Sequence, residues 1–384
     1  MIPRHTTPTP LPTNESTPTE AAAPEPPPVT VTVPVAGRLH RPGAVAAMCA
    51  ALGVLLSGSV LLAVSLGPAP VPPADTARFL WAALAGGRVG AADITTYQII
   101  WEIRTPRVLL AALVGAGLSA VGVAVQAMVR NALADPFVLG VSSGASVGAV
   151  GVTVTGGLAG LGLHAVSAGA FAGALFASFL VYAASSRGGA LSPLRLVLTG
   201  VCVSFGLQAV MSVIIYLAPS GEATSTVLYW TMGSFGAASW AALPVVTATV
   251  LLGIAVLHRQ SRSLDVLALG DETAVSLGIS PDRHRRYLLV LASLLTGVMV
   301  AVSGAISFVG LVMPHLVRLV AGAGHARVLA LAPLAGAVFM VWADLIARTL
   351  AAPRELPLGV ITALVGVPVF ITLMRRKSYL FGGR

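Results

Sequence analysis

The chain has 384 residues, 56% of them hydrophobic and only 10% charged, with a mean hydropathy of +0.89. A soluble domain carries about 25% charged residues, so this chain cannot clothe a water-facing surface, and lipid is its solvent. Its net charge of +9 would suggest nucleic acid in a soluble protein, but membrane proteins collect arginine and lysine in their cytoplasmic loops, so position outweighs the total.

Residues 1–36 hold ten of the 26 prolines and few apolar groups. They read as a disordered cytoplasmic tail, since such a segment has nothing to bury. A spanning helix needs about 20 mostly apolar residues, and ten candidates follow in order: 43–66, 108–129, 142–157, 163–184, 195–217, 240–258, 286–303, 305–321, 327–347 and 357–374. The expected fold is therefore an all-α polytopic membrane protein, with its transmembrane domain over 43–375. The seventh and eighth spans are separate only if the chain hinges near Ser303–Gly304. Residues 220–236 are too weakly apolar to cross and predict a short helix at the outer mouth. Helices 2–5 and 7–10 each follow an arginine-rich junction. Five helices separate the two starts, so an inverted repeat is expected.

With ten spans both termini share one side. Placing them inside leaves 17 basic residues cytoplasmic and six outside: Arg78, Arg88, Arg104, Arg107, Arg348 and Arg354. That asymmetry predicts cytoplasmic termini.

Chemistry-bearing patterns are scarce. Lys377 is the one lysine, whereas a phosphate-binding loop needs a lysine after a glycine-rich turn, so any ATP must be hydrolysed by another chain. No HExxH or CxxC pattern occurs. Cys49 and Cys202 lie in apolar runs and read as buried small hydrophobes. No metal or cofactor is expected on this chain. An ion-coupled secondary transporter would need ionisable groups at mid-membrane, and Asp344 is the acidic candidate inside a span, near its end. Asp344 and Arg348, four apart, predict a local pair. His315 and Arg318, after Pro314, mark a bend near the inner face, where neighbouring polar groups could repair the missing proline donor.

Gly140, Gly144 and Gly148 share one helix face, and Gly169 and Gly173 repeat the spacing. Close helix packing is the favoured reading; a flexible pore-lining segment presenting Ser142, Ser143 and Ser146 is the alternative. In the loop 259–286, Leu264, Leu267 and Ala268 predict one face of a short helix broken by Gly270. Asp271 can cap a second, Glu272–Leu277, ended by Gly278. Two stubby helices with apolar tips suit a groove on a soluble partner. Arg104 and Arg107, three apart, and Arg348 are outside arginines that call for a reason.

Four stretches resemble the permease family that imports iron–siderophore complexes, haem and cobalamin with the help of ATPases. They are RTPRVLLAALVGAGLSAVGVAVQAMVRNALADPFVLGVSSGASVGAV (Arg104–Val150), LALGDETAVSLGIS (Leu267–Ser280), GAISFVGLVMPHLVRL (Gly304–Leu319) and ADLIARTLAAPRELPLGVITALVGVPVF (Ala343–Phe370). In colinear order the resemblance covers roughly residues 75–375. It implies a non-enzymatic subunit in a bacterial cytoplasmic membrane, paired with a second permease copy or paralogue. Two ATPases that bind ATP and Mg would dock on the 259–286 loop, and an extracytoplasmic binding protein would pair its acidic groups with Arg104, Arg107 and Arg348. The resemblance also implies a cytoplasmic gate near Leu191 and Ser192, although the paired hydroxyls of the cobalamin-type permeases are missing there.

Overall fold

The computed structural model describes residues 42–187, 190–218, 227 and 231–375. The proposed tail and most of the outer-mouth segment 220–236 lie outside the described residues.

Among the described residues ten apolar helices overlap the ten expected spans, although the second already begins at Ala91 and the eighth only at Val309. They are α1 (Pro42–Ser65), α3 (Ala91–Met128), α4 (Val141–Thr155), α5 (Ala165–Ser185), α6 (Pro193–Tyr216), α7 (Leu243–Arg259), α10 (Pro281–Ser303), α11 (Val309–Ala321), α12 (His325–Thr349) and α13 (Leu358–Arg375). Between them lie α2 (Pro73–Ala85), α8 (Ser261–Leu269) and α9 (Asp271–Ser276). Six of the ten are long and apolar enough to cross a membrane by themselves, and α7 joins them when taken with α8 across a 57° bend. The other three, α4, α11 and α13, are shorter. The only strands among the described residues are Ser186–Arg187 and Ala190–Leu191, an antiparallel pair in the α5–α6 turn.

Local sequence explains the element ends. Prolines at the first turns of α2, α6 and α10 fit where an N–H would be unpaired anyway. The hinge after Ser303 is real: Gly304 (φ 67°) stops α10, and α11 begins only at Val309. In α3 the helix widens to a π-turn over Ile99–Arg104 just before Pro106, whose ring and missing donor a tighter turn could not accommodate. Pro314 lies inside α11 and leaves the Gly310 carbonyl without its helical donor. The Gln126 side chain supplies one, 3.2 Å from Gly310 O, and its oxygen accepts a bond from Arg318. The expected polar repair is thus made from another helix.

The two helix sets pack reciprocally. The first of each set packs on the third of the other, α3 on α12 and α10 on α5. Each first helix also packs on the other's second, α3 on α11 and α10 on α4, and the two first helices meet each other. This is the contact pattern of a duplicated unit. Both second helices follow a break, and the breaks touch. Gly310 lies against Leu118 O and Pro136, and the Asp135 carboxylate accepts the Phe137 N–H (2.9 Å) and that of Phe308. Asp135 is a buried acid that the sequence reading passed over because it sits in a turn.

Glycines set the closest approaches. A Cβ on Gly148 would stand 2.0 Å from Gly169 O, and one on Gly144 2.3 Å from Gly173 O, so α4 and α5 meet backbone to backbone. Gly140 is different: it has φ 74° at the start of α4, and an added Cβ there would meet only ordinary contacts. It is a turn glycine, which corrects its reading as a packing residue. Cys202 is exposed on α6 and Cys49 half-buried, so neither is the buried thiol expected.

Candidate functional site: the two charged ends of α3

Charged residues gather at the two ends of the long α-helical stretch of α3 that follows its π-turn. Thr105 to Met128 spans about 36 Å at 1.5 Å per residue, the thickness of a bilayer core plus a little.

At the first end, Arg104, Arg107 and Arg348 come together although 244 residues separate the outer two. All three are buried. Arg104 donates to Val64 O (3.1 Å), Ser65 O (3.0 Å) and Ala69 O (2.6 Å), and Arg348 donates to Ala63 O. These carbonyls belong to the last turn of α1 and the chain just beyond it, which have no helical donors. Two arginines therefore cap one helix C-terminus, where the macrodipole also favours positive charge. Arg107 forks to Glu355 (2.8 and 3.0 Å) and to Asp344 (2.9 Å), while Arg348 flanks Asp344 at 3.3 Å. The expected Asp344–Arg348 pair is present and has gained a third member. The expectation that these arginines face a binding protein is corrected: their guanidiniums are spent on α1, α12 and Glu355. Nothing in the local sequence pairs Arg104 and Arg348 with α1, because the acceptors are backbone atoms up to 40 residues from Arg104 and 285 from Arg348. Of the six arginines expected outside, Arg78, Arg88 and Arg354 are the exposed ones.

At the other end the loop has the two helices expected, with different roles for the residues. Leu264 and Leu267 are fully buried and root α8 in the core, so they cannot meet a partner. Ala268 is half-buried. The exposed apolar crest consists of Leu269, Val275 and Leu277, with Glu272 beside it. Leu269 and Val275 were missed because the short helix's stripe Leu264/Leu267 looked like an outward face. Gly270 (φ 117°) and Gly278 (φ 77°) do break the chain where predicted. Asp271 makes no cap; its carboxylate forks to Arg285 (Oδ2–Nη1 2.9 Å), with Arg130 3.7 Å away. The Arg285 hydrogen bond holds the Asp271 carboxyl below the usual carboxylate range.

Arg285 is the residue that sequence reading did not find. Only 1% exposed, it also donates to Met128 O (3.2 Å) and Leu191 O (3.1 Å). Leu191 is itself buried in the core, with its N–H on Asp282 (2.8 Å), so it lines no pathway in this conformation; Ser192 beside it is half-buried. Asp265 holds the start of α12 through the His325 N–H (3.0 Å) and imidazole (2.6 Å).

Gly140–Gly144 spells G-x-S-x-G, a match the sequence reading overlooked, but it follows a 3-10 turn where that motif requires a strand. The buried Ser142 hydroxyl has no hydrogen-bond partner to activate it. Among the described residues no His, Cys, Asp and Glu groups cluster as metal ligands.

Residues 55–376 match the FecCD transport family. The chain belongs to this family. It is 43% identical over 217 residues to the cobalamin import system permease protein BtuC of Halobacterium salinarum (56% of this chain, 57% of that one). It is 41% identical to the hemin transport system permease protein HmuU of Yersinia pestis (56% and 64%) and 38% to the Fe(3+) dicitrate transport system permease protein FecD of Escherichia coli (48% and 57%). Each match spans less than two thirds of the relative. A solved metal-chelate type ABC transporter, described as inward-facing, superposes with a TM-score of 0.75 at 29% identity, covering 86% of this chain and 99% of that one. This FecCD-family chain is a multi-pass membrane protein.

Proposed function

We propose that this chain is the membrane-spanning permease subunit of an ATP-binding cassette importer in a bacterial cytoplasmic membrane, and that it carries an iron–siderophore complex. Two ATPase subunits bind ATP and Mg beneath it, a second permease copy or paralogue completes the pathway, and an extracytoplasmic protein delivers cargo. The observation that carries this reading is the α8–α9 loop, whose base is rooted in the core by Leu264 and Leu267 while Leu269, just before Gly270, and Val275 and Leu277, between Gly270 and Gly278, stand exposed. Such a loop transmits a push from a soluble partner instead of yielding to it. Asp344, bracketed by Arg107 and Arg348, is poorly suited to carry a coupling ion.

A largely apolar cavity of about 660 Å³ opens where the α11 break meets α13, bounded by Phe137, Ser307, Gly359, Ala363 and Val367. Its few polar groups suit cargo that must leave again, and we assign it to the wall of the pathway.

The test is uptake into liposomes holding the permease with its ATPase, with ATP inside and the delivery protein outside, using a ferric siderophore, haem and cobalamin as separate cargoes. ATP-dependent uptake of the ferric siderophore alone is expected. Uptake of haem or cobalamin instead would overturn the cargo while keeping the permease; uptake with no ATPase present would overturn the class.

A further inference from the structure

We propose that Arg285 is the positioning residue that carries movement of the α8–α9 loop to the α5–α6 turn. This rests on the loop being the ATPase contact.

Arg285 lies near the start of α10, and its one planar group joins three other segments. They are the end of α3 through Met128 O, the α5–α6 turn through Leu191 O, and the start of α9 through both oxygens of Asp271. Three residues earlier on α10, Asp282 accepts the Leu191 N–H at 2.8 Å. Both backbone polar groups of Leu191 are therefore held by α10, one from each side. A guanidinium can do this because its donors form a rigid fork, whereas a lysine ammonium is a single flexible point charge.

Burial makes the link stiff. Arg285 is 1% exposed, so bonds lost there are not replaced by water, and its charge cannot be left unpaired cheaply. The Asp271 side chain is 43% exposed and sits beside Gly270, on the segment a partner would push. When α9 moves, its carboxylate either drags the guanidinium or abandons it, and the first is the cheaper course. Arg130 faces the same carboxylate from 3.7 Å and steadies it electrostatically. The α5–α6 turn is a two-residue strand pair, Ser186–Arg187 with Ala190–Leu191, so a pull on Leu191 is passed to both helix ends.

The experiment uses the full importer, permease with ATPase, in lipid discs. Spin labels are placed at Ser276→Cys and Ser192→Cys, both outside the apolar crest, after Cys49 and Cys202 are changed to Ser. ATP with vanadate is expected to shift both labels in the parent. In Arg285→Lys and in Asp271→Asn, the label at 276 should still shift and that at 192 should lose its shift, in complexes that still hold the ATPase. Asp282→Asn, which leaves Arg285 in place, should weaken the response at 192 as well and guards against misfolding of the arginine variant. A shift at 192 of parental size in both Arg285→Lys and Asp271→Asn overturns the proposal. An ATPase that fails to bind the parent chain would instead sink the docking reading beneath it.

Discussion

The two ends of α3 carry similar charges in different mechanical settings. At one end, Arg104, Arg107, Asp344 and Arg348 are all buried, and their partners are helix ends and one another. At the other, buried Arg285 pairs with half-exposed Asp271 on a loop bounded by glycines, with Arg130 partly exposed beside it. The first cluster is closed apart from Glu355 at its rim and braces α1, α3 and α12 against one another. The second is open on one side, so a soluble partner can act on it. Charge alone does not make a docking site; what matters is whether a member of the cluster stands on a segment free to move.

Four experiments would break or sharpen this contrast. Asp344→Asn should do the most damage, since it leaves buried Arg348 without its carboxylate and Arg107 with Glu355 alone, at a cost of about 3–5 kcal/mol. Unfolding of the purified protein in detergent should report that loss, and an unchanged midpoint would show the outer brace to be dispensable. Between the two ends, Gly148→Ala tests the backbone contact of α4 with α5. Its Cβ would fall 2.0 Å from Gly169 O, so a cost of about 1–3 kcal/mol is expected, whereas Gly151→Ala meets open space and should leave the same melting curve in place.

At the inner end, Leu277→Asp and Leu267→Asp separate partner contact from core. Leu277 is 59% exposed and Leu267 1%. The Leu277 change should alter stability by no more than about 0.5 kcal/mol yet abolish ATPase co-purification. The Leu267 change should lower the amount of folded permease before any partner is added. Equal ATPase capture by Leu277→Asp and the parent would move the contact elsewhere.

The smallest effect is set by pH. The Asp271 carboxyl is depressed in the folded chain, chiefly by its bond from Arg285. A depressed acid contributes stability above its unfolded value and loses it as pH falls through the folded one. Protection of the α8–α9 loop from protease should therefore stay level from neutral pH down to the ordinary Asp value of about 3.9 and fall only below it. Asp271→Asn should remove that acid limb.

The spans were legible because apolar length is written locally: a run of about 20 such residues can cross a membrane whatever its neighbours are. The hinge at Gly304, the breaks at Gly270 and Gly278, and the Asp344–Arg348 pair were legible for the same reason, being set by residues within one or two turns. The glycine pairs on α4 and α5 were visible as spacing, though Gly140 shared the spacing and not the role. Which way a short helix faces was not legible. Leu264 and Leu267 form the same stripe whether it meets a partner or the core, and only the seating of α8 in the core decided it. The roles of Arg104, Arg107, Arg348 and Arg285 likewise came only from the tertiary structure. Their acceptors include backbone carbonyls at Ala63, Val64, Ser65, Met128 and Leu191, and a carbonyl carries no signature in a sequence.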